Sequence, residues 1–158
     1  MLLDVSGAPA LKSGSLRNKF AHGISLKAKA AIGDLEGGIA LCAWFESVPS
    51  FHDATLRELE LRQGAPSRLV AHAFQMTSEV DAHGYFVLTK HVDVTFSIFE
   101  LIEVQLFDFT EAGIIFAFSI EIDPDGTTLS FESGYGVHGR IKAKRIVVSF
   151  QPHPTGSS

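Results

Sequence analysis

Apolar and polar residues alternate with a period of two through most of the chain after residue 54, and this pattern limits the fold more than any other feature. In "HVDVTFSI", for example, Val92, Val94, Phe96 and Ile98 alternate with polar side chains. Successive side chains of a β-strand point to opposite faces, whereas a helix repeats about every 3.6 residues. The pattern therefore predicts β-strands that each turn one face toward a core.

Further strands are predicted where similar alternation lies between turn-forming residues, at 55–62, 68–77, 85–90, 101–109, 113–123, 127–133 and 141–150. Two of these strands have a continuous apolar face that we expect to point inward. The residues concerned are Ile102, Val104 and Leu106 in "LIEVQLFDF" and Ile114, Phe116, Phe118, Ile120 and Ile122 in "GIIFAFSIEID".

The predicted connections are short, and two of them have the composition of tight turns: "DAHG" at 81–84 and "DPDG" at 123–126. Parallel strands would need crossovers of about a dozen residues or more, so the strands are predicted to be antiparallel. The fold class is therefore α+β, mostly β: an antiparallel meander sheet of about seven or eight strands with one N-terminal helix.

The helix is predicted in "DLEGGIALCAWFES", residues 34–47, with Asp34 as N-cap and Pro49 as a stop beyond its end. The residues expected near its buried face are Leu35, Ile39, Ala43 and Phe45. Residues 1–33 carry five basic residues and one acid, and we interpret them as a basic N-terminal extension. Residues 34–152 then form a single β-rich domain, and residues 153–158 form a flexible tail.

Cys42 is the only cysteine among 158 residues, which excludes an intrachain disulfide and any paired-cysteine metal or redox site. A reducing compartment fits this composition. The N-terminus lacks the basic and apolar regions of a signal peptide, and no apolar run of about eighteen residues predicts a membrane helix. We therefore expect a cytoplasmic protein without membrane contact.

His52 and Asp53 stand side by side in "VPSFHDATLRELEL", which raises the question of a catalytic pair. Neighbours in an extended segment point to opposite sides, so this adjacency predicts no hydrogen bond between them. The structural interpretation is that Ser50 or Asp53 caps a turn while Phe51 anchors the loop in the core. No catalytic residue is predicted on this basis.

The remaining chemistry-bearing residues show no motif spacing. The histidines considered as metal ligands, none of them at a metal-binding spacing such as H-E-x-x-H, are His52, His72, His83, His91, His138 and His153. Glycine-rich phosphate loops are absent, and the N-terminal lysines are few and lack interleaved aromatic residues. The sequence therefore predicts no metal site, no cofactor and no nucleic-acid partner.

Nine acids and no lysine or arginine occur between residues 91 and 139. One interpretation is a solvated sheet face that is paired across strands with the bases at 140–145. The other is a negative surface that attracts a basic protein partner. The residues predicted to make that contact are Glu100, Glu103, Asp108, Glu111, Glu121 and Asp123.

Two segments carry a family resemblance. "WFESVPSFHDATLRELELR", residues 44–62, places an aromatic pair before Pro-Ser-Phe-His-Asp-Ala and a strand, and "SGYGVHGRIKAKRIVVSFQP", residues 133–152, has a Tyr-Gly-x-x-Gly turn before basic and β-branched residues. With "VDVTFSIFELIEVQLFDF" between them, they resemble the immunity protein 50 family over about residues 34–152. The signature positions are Phe51, His52, Asp53, Tyr135, Gly136 and Gly139.

The resemblance implies a non-enzymatic protein that binds and neutralises a cognate bacterial toxin in the cytoplasm. It implies no catalytic residue and no cofactor. Together with the charge pattern, it predicts a basic toxin held by an acidic sheet surface, and it leaves homo-oligomer formation open. The alternative function is a small-molecule-binding or hydrolytic β domain that uses His52 or Asp53 with a distant His72 or His138.

Overall fold

The alternating pattern forms one seven-stranded antiparallel sheet in the computed structural model, which describes residues 28–154. The strands are β1 (Ala28–Ala30), β2 (Thr55–Glu60), β3 (Ser67–Val80), β4 (Phe86–Phe107), β5 (Ile115–Asp123), β6 (Gly126–Ser133) and β7 (His138–Pro152). A 3-10 turn, Ile32–Asp34, precedes the α-helix α1 (Gly38–Phe45). For this part of the chain the predicted fold class is confirmed.

The sheet consists of two three-stranded meanders, β2–β3–β4 and β5–β6–β7, which are joined because β4 pairs with β7. β1 pairs with the outer edge of β5. Although β2 and β5 stand far apart in the strand order, the chain entering β2 is hydrogen-bonded to the chain entering β5. The sheet is therefore strongly curled, and the core lies on its inner face.

The inner face carries the apolar half of each alternation. Four residues of β4 are fully buried, as predicted: Val92, Val94, Phe96 and Ile98. Phe51, from the loop before β2, packs on this face with its ring centroid 5.7 Å from that of Phe96 and 4.8 Å from that of Phe118. Leu41 and Phe45 of α1 are buried in the same cluster. One continuous core thus connects the sheet, the helix and the loop before β2.

β4 is a single strand of 22 residues where the sequence predicts three shorter ones. Glu100 takes a φ of 54°, and the pairing of β4 with β7 shifts register just after it. A bulge adds an unpaired residue, so it reverses the face on which the next side chains lie. The predicted core position of Ile102 is therefore wrong, and Leu101 faces the core instead. Val104 and Leu106 do pack against the core, as predicted.

A second irregularity corrects the predicted inner face of β5. The register of β5 with β6 shifts between Ile115 and Ala117. As a result Ile115 is buried in place of Ile114, and Phe116 is 63% exposed. The predicted inward residues beyond the shift do contact the core: Phe118, Ile120 and Ile122.

The helix begins four residues later than the sequence predicts. The Asp34 carboxylate accepts a hydrogen bond of 2.7 Å from the backbone N–H of Ala31, so it belongs to the 3-10 turn and does not cap α1. Gly37 precedes α1 with a φ of 83°, and a Cβ there would lie 2.0 Å from the carbonyl oxygen of Val148. The close approach of the backbone to β7 therefore requires glycine and sets the start of the helix.

The later start also changes the buried face of α1. Leu41 and Phe45 are buried, whereas Ile39, which the sequence predicts to be inward, is 74% exposed. At eight residues, α1 is too short to cross a bilayer, and the described part of the chain contains no other helix of the length and apolarity needed.

Both predicted domain boundaries fall within ordered structure. β1, which was assigned to the basic extension, pairs with β5. His153, which was assigned to the tail, donates its backbone N–H to the carbonyl oxygen of His91 at 2.8 Å. The folded unit thus includes residues on both sides of 34–152, while residues 1–27 and 155–158 lie outside the described part of the chain.

Candidate functional site

The first signature segment, "PSFHDA" at 49–54, contains a turn at His52 and Asp53. Asp53 has a φ of 64°, a left-handed conformation that aspartate tolerates better than most residues. In this conformation His52 Nδ1 lies 3.0 Å from Asp53 Oδ2, and each side chain is about half-exposed. The expectation that these neighbours point to opposite sides is wrong, because it assumed an extended backbone, but the contact between them is not a hydrogen bond.

Other contacts of this segment agree with the structural interpretation. Ser50 Oγ accepts a hydrogen bond of 3.2 Å from the His52 N–H, and Phe51 is buried. The Asp53 N–H donates to the Ile115 carbonyl at 2.8 Å, and the Ile115 N–H donates at 2.8 Å to the carbonyl of the residue after Asp53. The segment therefore attaches the start of β2 to the start of β5.

The second signature segment, "GYGVHG" at 134–139, packs against the connection between β4 and β5. The Val137 N–H donates to the Glu111 carbonyl at 3.0 Å. A Cβ at Gly136, where φ is 77°, would lie 2.9 Å from the Glu111 carbonyl oxygen, and one at Gly139 would lie 1.9 Å from that of Gln105. Both glycines are therefore required by backbone contacts.

The first segment is hydrogen-bonded to the start of β5, the second packs against the β4–β5 connection, and a group of exposed side chains lies beside them. We call this group the loop surface; it consists of Phe107, Asp108, Phe109, Glu111 and Tyr135. Its three aromatic side chains are between 57% and 63% exposed. The Asp108 carboxylate lies 3.7 Å from His138 Nδ1, and within residues 28–154 neither acid forms an ion pair with lysine or arginine. The loop surface therefore combines exposed aromatic rings with unneutralised carboxylates.

Two of the other acids predicted to contact a partner are instead paired across the sheet. Glu103 accepts a hydrogen bond of 2.9 Å from Arg140, and Asp123 accepts one of 2.8 Å from Lys142 Nζ. The hydrogen bond from Lys142 lowers the pKa of the Asp123 carboxyl, and the same bond raises the pKa of Lys142. For these two acids, the cross-strand interpretation describes the structure.

The last two predicted acids occupy different places. Glu100 is exposed at the bulge of β4, beside a groove of about 810 Å³ that Phe99 and Arg145 also line. Glu121 pairs in register with Lys29 on one side and Thr128 on the other. The structure thus places Asp108 and Glu111 on the short connection between β4 and β5 but distributes the other four acids over the sheet.

The alternative function requires His52 or Asp53 to meet a distant histidine. His52 contacts Asp53 and the Phe116 ring, whose centroid is 5.4 Å from its own, and it contacts neither His72 nor His138. The groove of about 440 Å³ beside His52 is lined mainly by apolar and aromatic side chains. Asp53, His72 and His138 do not line it. The geometry therefore does not assemble the proposed catalytic group.

A separate cluster of histidines lies on β3, on β4 and just after β7. His72 Nδ1 is 2.9 Å from Asp93 Oδ1, and His153 Nε2 is 2.8 Å from Asp93 Oδ2. His72 Nε2 lies 3.1 Å from His91 Nδ1. Partial burial raises the pKa of Asp93, but the hydrogen bonds from His153 and His72 outweigh burial and keep the pKa below its usual value.

Sequence spacing gives no sign of this cluster because its members come from β3, β4 and the segment after β7. Its positions follow from sheet register, in which His72 pairs with Asp93 and the segment after β7 reaches His91. The sequence could indicate the cluster only if the strand pairing were predicted together with the polar positions on each strand. The donor atoms of His72, Asp93 and His153 lie within 4.8 Å of one another, which is close enough for these residues to hold a metal ion.

Comparison with known proteins supplies no relative: no family model, no curated protein and no solved structure matches this chain.

Proposed function

We propose that this chain is a non-enzymatic immunity-type protein that binds and neutralises a cognate bacterial toxin in the cytoplasm. The observation that carries the proposal is the loop surface, where Phe107, Phe109 and Tyr135 are exposed beside two carboxylates that form no ion pair with lysine or arginine within residues 28–154. The resemblance of the two flanking segments to the immunity protein 50 family supplies the class of partner.

Exposed aromatic rings are effective anchors for a protein partner. Their burial removes a large apolar area from water at a small cost in side-chain entropy, and a few such residues usually dominate the binding energy. The segment that carries Tyr135 lies on a firm base, since Gly136 packs against the backbone of the β4–β5 connection and Gly139 packs against the backbone of β4. A preformed surface of this kind loses little conformational freedom on binding.

The carboxylates of the loop surface specify the charge of the partner. Asp108 and Glu111 attract a basic surface and accelerate the encounter, while they disfavour acidic proteins. Glu103 and Asp123 contribute less to this field because Arg140 and Lys142 neutralise them. The proposed contact is therefore more localised than the whole acidic face of the sheet.

The test begins with capture of a protein partner from the native host. The captured protein must inhibit bacterial growth when it is expressed alone, and co-expression of the chain must restore growth. The double variant Phe109→Ala/Tyr135→Ala should lose this protection and weaken binding by at least about 2 kcal/mol, the loss typical of hot-spot aromatics.

The matched control is Tyr85→Ala/Phe86→Ala, which removes two similarly exposed rings from the β3–β4 hairpin. This variant should protect as well as the unmodified chain. If both double variants protect equally, the loop surface is not the binding site. If the captured protein has no effect on growth, the immunity function itself is wrong.

A further inference from the structure

The His72, Asp93 and His153 side chains converge from β3, β4 and the segment after β7 without any contact with the loop surface. The Asp93 carboxylate receives one imidazole nitrogen on each of its oxygens, at 2.9 Å and 2.8 Å. Two nitrogen donors and one carboxylate are among the ligand sets that Zn²⁺ takes in proteins, with a fourth position left for water or another ligand.

We propose that His72, Asp93 and His153 form a Zn²⁺ site. His72 binds through Nδ1, His153 through Nε2 and Asp93 through one carboxylate oxygen, because these are the atoms that face each other. The site is distinct from the toxin-binding surface proposed above and does not depend on it.

The present distances require only a small adjustment. Ligand distances of about 2.0–2.1 Å around tetrahedral zinc place neighbouring ligand atoms about 3.3 Å apart. With Asp93 Oδ1 as the bound oxygen, its distance of 2.9 Å from His72 Nδ1 would lengthen by about 0.4 Å, and His153 Nε2, which lies 2.8 Å from Oδ2, would turn from that oxygen toward the ion. Rotation of the His153 side chain, which is 40% exposed, can supply much of this movement.

His91 supplies the supporting contact that metal-binding histidines usually have. Its Nδ1 lies 3.1 Å from His72 Nε2, the ring nitrogen that would not bind the ion. With the ion on Nδ1, His72 Nε2–H donates to His91, and this bond fixes both the tautomer and the ring orientation of His72. The rings of His72 and His91 are also stacked, with centroids 5.4 Å apart.

The charge around Asp93 also favours a cation. Its carboxylate is partly buried, and within residues 28–154 its ionic contacts are only with the two histidines. A bound Zn²⁺ would compensate this charge and join β3, β4 and the end of β7, so binding should stabilise the fold. Imidazole nitrogens select zinc and neighbouring transition metals over Mg²⁺ and Ca²⁺, which prefer oxygen ligands.

The test is calorimetric titration of the tag-free, chelator-treated 158-residue chain with ZnCl₂. We expect one Zn²⁺ per chain, an increase in the melting temperature, and no comparable response to MgCl₂ or CaCl₂. His153→Ala and Asp93→Asn should each weaken zinc binding by about tenfold or more, and His91→Ala should weaken it about tenfold.

The control is His83→Ala, which removes an exposed histidine from the β3–β4 turn and should leave zinc binding unchanged. His153→Ala is the deciding variant because its ring is partly exposed near the end of the chain, and circular dichroism will verify its fold. The proposal is overturned if the unmodified chain does not bind zinc, or if His153→Ala and His83→Ala bind it equally.

Discussion

The glycine at position 139 shows how a single residue decides the geometry of the loop surface. Gly139 has a φ of 145°, and a Cβ there would lie 1.9 Å from the Gln105 carbonyl oxygen of the paired strand. No rotation of a side chain can relieve this overlap, because both atoms belong to the backbone framework. Substitution would therefore push β7 away from β4 next to Phe107 and Tyr135.

We predict that Gly139→Ala lowers the free energy of unfolding by at least about 2 kcal/mol, since backbone strain of this kind is costly. Gly134→Ala is the matched control, because a Cβ at Gly134 meets no atom within 4 Å. It should change stability by no more than about 0.5 kcal/mol. Urea denaturation of the two variants measures the difference, and equal stabilities would contradict the close approach at Gly139.

His52 and Asp53 show why the sequence predicts only part of the local geometry. As predicted, Ser50 accepts a hydrogen bond within the turn and Phe51 anchors it in the core. The sequence does not predict the left-handed backbone of Asp53, which accompanies the hydrogen bonds from the Asp53 N–H to the Ile115 carbonyl and from the Ile115 N–H to the Ala54 carbonyl. A contact imposed by such distant partners has no signature in the neighbouring residues.

The strands were predictable, whereas their bulges were not. Alternation identified the buried face of β4 from Val92 to Ile98, since apolar residues at every second position indicate a strand with one buried face. After Glu100 and Ile115 the register shifts, and each shift exchanged the inner and outer faces for the next residue. Apolar residues on both sides of these positions made either register plausible, which is why Ile102 and Phe116 were assigned to the wrong face.

The corrected face of α1 gives a test at the level of the helix. Leu41→Ala should destabilise the protein by about 2–5 kcal/mol, because it removes a fully buried side chain and leaves a cavity. Ile39→Ala should cost less than about 0.5 kcal/mol, since Ile39 lies on the exposed side. Thermal denaturation of both variants shows which of the two residues is buried. If Ile39→Ala were the less stable variant, the buried face predicted from the sequence would be correct.

The ion pair between Asp123 on β5 and Lys142 on β7 predicts a dependence of stability on pH. The pKa of Asp123 is lower in the folded protein than in the unfolded chain, so its contribution is present above about pH 4 and is lost as pH falls through the folded pKa. Asp123→Asn removes this titration while its side-chain oxygen can still accept the turn hydrogen bonds from residues 125 and 126.

We therefore expect Asp123→Asn to be less stable than the unmodified protein at neutral pH, with a smaller difference near pH 3. Urea denaturation at the two pH values measures the change, and Glu79→Gln, at an exposed position of the β3–β4 hairpin, is the control. A stability difference that does not depend on pH would show that the ion pair does not contribute.

The curled sheet as a whole creates both candidate sites. Curling brings the two signature segments, which are about eighty residues apart in sequence, against the β4–β5 connection and the start of β5. Strand register likewise brings His72, Asp93 and His153 together. The sequence predicted the fold class, but neither assembly could be predicted from it, because each depends on the order in which the meanders join.

The measurement that decides the binding account is the association rate of the captured toxin with the chain, at low and at physiological salt. Glu111→Lys reverses a charge of the loop surface that has no ion-pair partner within residues 28–154, and Glu79→Lys makes the same reversal at an exposed position of the β3–β4 hairpin. We predict that Glu111→Lys slows association by about threefold to tenfold at low salt and weakens its salt dependence, while Glu79→Lys does neither. Equal association rates for the two variants would contradict a toxin contact at the loop surface.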